Sequence, residues 1–301
     1  MLYTGNVNRI IFWGIIPLII ISYFIFRIME WHYLDDGNRL SISKQHYENL
    51  RVSNEINCLI LGGSNSMFSL SAEQMSSISN LKCYNLSLLN EGFSDQAYFN
   101  FIREAPIDKK TITHIFYSTI FPLSSKDFYE RMEHNVNETT LSGNLSIKFK
   151  GPSIASYFAR WLKNDVMFKT VQYPAPSSSG DFNFDEYGCN SINIQDSWTI
   201  EAVDISLDLW VRGQLAKIRN IFSNSKIYFI VPSTLRENFN EKDTYKFSIA
   251  LEKIIVEESA SFIEQSPFKN RSVLCDGTHH ANSIGRELRT RELMTLLKGI
   301  K

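Results

Sequence analysis

Five short apolar runs, separated mostly by longer stretches with helical spacing, constrain this chain more than any other feature. "INCLILG" (Ile56–Gly62), "LKCYNLS" (Leu81–Ser87), "ITHIFYSTI" (Ile112–Ile120), "SKIYFIVPS" (Ser225–Ser233) and "RSVLCDG" (Arg271–Gly277) read as strands. Helical patterns follow in "SAEQMSSI", "EGFSDQAYFNFIREA", "VDISLDLWVRGQLAKIRNIF" and "KFSIALEKIIVEESA", and "SIGRELRTRELMTLLKGI" closes the chain. Strands apolar on both faces need helices on both sides, so the alternation predicts βαβ units and an α/β fold with a central, mainly parallel sheet. Such sheets gather their active groups outside the carboxyl ends of the strands.

The rhythm sets the domain boundaries. It occupies residues 55–301 and breaks at about 124–200, where "NVNETTLSGNLS" and "YPAPSSSGDFNFDEYG" read as an insertion over the active edge. Loops of that length serve as lids or partner surfaces. Tyr173, Phe182, Phe184 and Tyr187 either face a sugar ring or hold the insertion onto the domain. Residues 31–54 read as a connector or entry helix.

Residues 1–30 differ in character. "IIFWGIIPLIIISYFIF" (Ile10–Phe26) has no charge and is bracketed by Arg9 and Arg27. At 1.5 Å per residue it spans roughly 26 Å, enough for a thin bilayer with snorkelling arginines. The bulky "FRIMEWHYL" that follows is poor for signal cleavage, so an uncleaved single-pass anchor in the lipid bilayer is expected. Arg9 and the amino terminus face Arg27, Arg39 and Lys44 across this segment, so charge assigns no orientation.

The chain holds 31 basic and 32 acidic side chains, a net charge of -1. Without a basic field, nucleic acid is not an expected partner. Cys58, Cys83, Cys189 and Cys275 form no CxxC pair, which argues against a structural zinc site. Three lie in or beside apolar runs and read as small buried hydrophobes, with disulfides open if the domain is extracytoplasmic.

The first strand ends in "GGSNSMFSLS", small polar residues at a strand-to-helix turn. Gly62 and Gly63 permit a tight turn, and Ser64 just beyond them is a candidate nucleophile, with Ser66 as the nearby alternative. Ser71 stands at an N-cap position, with Gln74 three residues on. Far along the chain, "LCDGTHHANSIG" places Asp276 and His279 three apart on one loop, with His280 as an alternate base. A histidine takes a serine proton, and an aspartate orients the ring and stabilises its charge. "GGSNS" lacks both the GxGxxG and the GK[ST] fingerprint, so no cofactor is expected.

Together, Gly62–Gly63–Ser64 and Asp276-Gly277-Thr278-His279, with Asn282 and Gly285 beyond, resemble the blocks of the SGNH, or GDSL-like, hydrolase superfamily. The resemblance covers residues 55–122 and 200–300. It extends to membrane-anchored bacterial members that modify cell-surface polysaccharides, among them alginate acetylation and DltD-like teichoic-acid D-alanylation proteins. It implies a flavodoxin-like three-layer α/β/α sandwich and a catalytic set of Ser64, His279 and Asp276. The implied oxyanion donors are the amide of Ser64 with Asn90, Gly92 or the Ser118 region. Asn85 matches the asparagine that often precedes the second block, where a turn contact is expected. The third block departs from the family: "YSTIFPLSS" stands where Gly-x-Asn-Asp is usual, so that either Ser118 or Thr119 takes the asparagine's place or the pocket uses a different donor. The implied chemistry is ester hydrolysis or O-acyl transfer on a cell-envelope polysaccharide, with a membrane-bound acyl-donor partner and an extracytoplasmic domain. The alternative is a non-catalytic glycan-binding or scaffold protein of the same fold.

Overall fold

The computed structural model describes residues 15–18, 21–23, 39–53, 55–88, 95–119, 174–187, 189, 205–232, 241–275 and 279–299. Its centre is a five-stranded sheet in the order β2-β1-β3-β4-β5, every pairing parallel. The strands are β1 (Cys58–Gly62), β2 (Cys83–Asn85), β3 (His114–Ser118), β4 (Lys226–Ile230) and β5 (Ser261–Ile263). The described helices are α1 (Arg39–Val52), α2 (Ser64–Ser69), α3 (Ala72–Ile78), α4 (Asp95–Glu104), α5 (Phe184–Tyr187), α6 (Ile205–Ile221), α7 (Glu241–Glu257) and α8 (Ser283–Gly299).

The period-2 alternation of the strands divides the core in two. Leu59, Leu61, Ile115, Tyr117, Ile227 and Phe229 pack with residues of α1, α4, α6 and α7 on one face. Cys58, Ile60, Phe116 and Ile230 pack with Ala72 and Met75 of α3 and Leu293 and Met294 of α8 on the other. With both faces covered, the central strands read as continuous apolar runs, as parallel sheets require. Because β1 returns to β2 on one side and the later strands add on the other, the strand order reverses between β1 and β3. A crevice opens at such a reversal.

Four of the five expected strands are present; the fifth lies elsewhere. "RSVLCDG" contains a 3-10 turn over Arg271–Val273 and a single antiparallel bridge from Leu274 to Ala281. The sheet is completed by Ser261–Ile263, paired with Tyr228–Ile230 of β4. Three residues entered through Ser259 at φ 56 are too short to show a strand pattern.

Residues 39–52, read as connector or entry helix, form α1 and bury Ile42 and Leu50 in the core. His46 of α1 is also fully buried, its Nδ1 3.1 Å from the Tyr84 hydroxyl. Burial pushes the imidazole down to about 3 from 6.5. The unfolded chain therefore takes up this proton first, so the stability due to neutral His46 is complete above pH 6.5 and is lost as pH falls toward 3. Each unit in that window costs up to about 1.4 kcal/mol. Urea unfolding at pH 7 and pH 5 is expected to show a steeper acid loss for wild type than for His46→Leu. Equal slopes would refute it.

Of the apolar stretch 10–26, residues 15–18 and 21–23 are described. They are helical, with Ile15, Leu18, Ile21 and Tyr23 exposed. No helix among the described residues is long and apolar enough to cross a membrane.

All four cysteines are paired. Cys58 and Cys83 face each other in the register of β1 and β2 and form one disulfide. Cys189 and Cys275 form the other, tying the end of the insertion to the strip that leads into the histidine loop. The expected burial holds for Cys58, Cys83 and Cys275.

Candidate functional site

The turn after β1 is shaped by its neighbours. Gly62 has φ 139, and a Cβ there would overlap the Ser118 carbonyl oxygen of β3. Its amide donates to the Tyr98 hydroxyl at 2.7 Å, and its carbonyl accepts from Leu88 N at 3.0 Å. Burial raises the Tyr98 phenol above its ordinary pKa, which keeps it protonated. Gly63 is then the N-cap of α2, in extended conformation, and its carbonyl accepts from the amides of Ser66 and Met67.

The three polar residues that open α2 have separate roles. Ser66 is buried, and its hydroxyl donates to the carbonyls of Ser118 and Leu61. That hydroxyl braces the turn against β3. Asn65 is also buried, and its Nδ2 donates to Ser118 Oγ at 2.8 Å. Ser64 is half-buried at the first position of the helix. Ser118, the residue paired with Gly62, ends β3 beside it. Ser64 thus follows, by two residues, the position paired with Ser118, at the strand-order reversal.

The expected cap at Ser71 is present: its hydroxyl accepts from Gln74 N at 3.1 Å. Asp181 completes it from the described end of the insertion. Its carboxylate accepts from Ser71 Oγ at 2.8 Å, Ala72 N at 2.7 Å and Glu73 N at 3.0 Å. Asn85 Nδ2 reaches the same carboxylate at 3.4 Å and the Leu70 carbonyl at 3.1 Å. Asn85 Oδ1 accepts from Ser87 N, the turn contact expected of it. Neither Asp181 nor Tyr98 carries a local signal of its role, because their partners are distant in sequence.

The histidine loop is closed at its base. Besides the Leu274–Ala281 bridge, Cys275 N donates to the His280 carbonyl at 2.7 Å, and Asn282 Nδ2 to the carbonyls of Ser272 and Leu274. Gly285 is required here, since a Cβ would strike the Val273 carbonyl. His279 is 6% exposed, and its carbonyl lies 3.5 Å from Ser69 Oγ, at the far end of the helix that Ser64 begins. The loop thus packs on α2 at the end opposite Ser64, and no hydrogen bond joins the Ser64 side chain to His279 among the described residues. The His280 ring stacks on Phe68 of α2, with centroids 4.4 Å apart and planes at 14°. Asp276, Asn90 and Gly92 lie outside the described residues.

The insertion's rings divide by burial. Phe182 and Phe184 are 3% and 8% exposed and pack against Phe68, so they hold the insertion to the domain. Tyr187 packs against Phe68 and Phe182 and is half-buried. Tyr173 lies outside the described residues. Among the described residues, no group of three or more histidine, cysteine, aspartate or glutamate side chains is placed to hold a metal ion.

No family model matches the chain, and no curated protein matches it. Among solved structures it is similar to the periplasmic domain of a lipopolysaccharide acetyltransferase from Salmonella ser. Paratyphi A. The TM-score is 0.41 and the identity 10%, over 92% of this chain and 97% of that chain.

Proposed function

We propose that this chain is an SGNH-type serine acyl-transfer enzyme of flavodoxin-like α/β/α architecture, acting on a cell-envelope polysaccharide by O-acetylation or deacetylation. The observation that carries the reading is the position of Ser64. It opens a helix straight after β1, beside the end of β3, where the strand order reverses, and the loop bearing His279 packs on that same helix. The resemblance of the Gly62–Ser64 and Asp276–His279 blocks supports the same assignment.

In this mechanism Ser64 Oγ attacks the acyl carbonyl carbon, its proton passes to His279, and the carbonyl electron pair moves onto oxygen. Asp276 orients the imidazole and stabilises its charge. The tetrahedral intermediate collapses as the leaving alcohol takes the proton from His279. Water or a sugar hydroxyl then resolves the acyl-enzyme by the reverse sequence. The amide of Ser64, with Asn90, Gly92 or Ser118, stabilises the oxyanion.

Two disulfides favour an oxidising compartment, and the apolar segment 10–26 supplies a membrane anchor. Both support a domain outside the cytoplasm, and the proposed chemistry calls for a membrane-bound acyl-donor partner. A non-catalytic glycan-binding or scaffold role is the second reading, favoured by the missing Ser64–His279 hydrogen bond. Acetyl content of the surface polysaccharide separates the two. Cells carrying Ser64→Ala or His279→Ala in place of wild type are expected to fall to the level of a deletion strain if the protein adds acetyl groups, and to rise if it removes them. Wild-type content in both variants would sink the catalytic reading.

A further inference from the structure

Asn65 is 1% exposed, and its Oδ1 is a buried atom with no hydrogen-bond partner among the described residues. Its one side-chain bond is from Nδ2 to Ser118 Oγ, 2.8 Å long. Ser118, 2% exposed, has no further partner for its hydroxyl among the described residues. Drawn this way, the pair leaves two groups unmet: the amide oxygen without a donor and the Ser118 hydroxyl hydrogen without an acceptor. A side-chain amide has two ends of nearly the same shape, and a hydroxyl can serve either. With the amide turned over, Ser118 donates to Oδ1, and a single group stays unmet, the NH2. That arrangement leaves fewer buried polar groups unpaired, and each such group costs about 1–3 kcal/mol. It also defines what the free end seeks, a hydrogen-bond acceptor.

The geometry points to Asn65 as a substrate contact: its free NH2, clamped in place by Ser118, donates to the acyl oxygen of the ester that Ser64 attacks. This rests on the acyl-transfer reading of Ser64. Asn65 is the next residue in the chain, and Ser118 ends the neighbouring strand in register with Gly62. A buried donor at the point where charge develops is worth more than one in water, because it needs no reorganisation as the reaction proceeds. An unpaired buried amide is otherwise a pure loss of stability.

The test uses the full chain in detergent, a fluorophosphonate probe and p-nitrophenyl acetate, with thermal melting as the check on folding. Wild type is expected to label and Ser64→Ala to remain unlabelled. An unlabelled wild type overturns the acyl-transfer reading itself, and this proposal with it. Asn65→Leu is expected to melt near or above wild type and to react roughly 10²–10³-fold more slowly, chiefly in kcat. A natively melting Asn65→Leu that labels at the wild-type rate overturns the proposal. Asn65→Asp keeps the shape and is scored beside it. It is expected to be as slow at neutral pH and to recover relative to wild type as pH falls, because burial raises a carboxyl pKa and the neutral acid regains a donor. A constant ratio across pH overturns the proposal.

Discussion

Ser64→Ala is expected to abolish fluorophosphonate labelling of the purified full chain and to lower p-nitrophenyl acetate turnover by roughly 10⁴-fold or more. In the proposed mechanism Ser64 forms the bond on which every later step depends. The same substitution should leave folding almost untouched. Ser64 is half-buried at a helix start, and its hydroxyl has no partner among the described residues, so stability should move by no more than about 0.5 kcal/mol. The contrast with Ser66 makes the prediction sharp. Ser66→Ala removes an oxygen that donates to two buried carbonyls and should lower the melting temperature. Labelling that survives in Ser64→Ala and disappears in a natively folded Ser66→Ala would reverse the assignment.

The second large effect falls on the backbone beneath the serine. Gly62→Ala is expected to cost about 4 kcal/mol or more, a large part of the roughly 5–15 kcal/mol that holds a domain together. Two causes add. A φ of 139 is closed to a residue with a side chain, and the new methyl would overlap the Ser118 carbonyl and the Ser66 hydroxyl. Ser118 lies in β3, between β1 and β4, so that carbonyl cannot retreat without breaking the sheet. Gly213 is the internal comparison. It lies within α6 with nothing near its missing Cβ, and Gly213→Ala should stabilise by up to about 1 kcal/mol. Chemical denaturation of both variants measures the difference. A Gly62→Ala protein as stable as wild type would show that the turn is not bound to β3 as described.

Much of the frame was readable along the chain. The four apolar runs that became β1 to β4 announced a sheet buried on both faces, and Ser71 with Gln74 announced a helix start. The turn at Gly62 and Gly63 was legible too, because the residues that make it are adjacent. The failures have a common cause. β5 is three residues long, and a run that short has no period to detect. "RSVLCDG" has the apolar content of a strand, but the Asn282 side chain and the Ala281 bridge fold it back on itself before it can join the sheet. For Phe182 and Phe184 the sequence left two roles open, and packing on Phe68 selects the one that holds the insertion to the domain.

The amino-acid sequence by itself determined the parallel α/β frame and the small polar turn at the end of β1. Both follow from side chains within a few positions of one another, where periodicity and capping act. The tertiary structure alone decided what the turn's residues do. It braced Ser66 against Ser118 and left Ser64 at the helix start. It also paired Cys58 with Cys83 and Cys189 with Cys275, and set Asp181 on a helix 109 residues away. These are choices among chemically similar partners. Local preference cannot rank them, because the energy that selects one comes from burial and hydrogen bonding between segments that meet only when the sheet has formed.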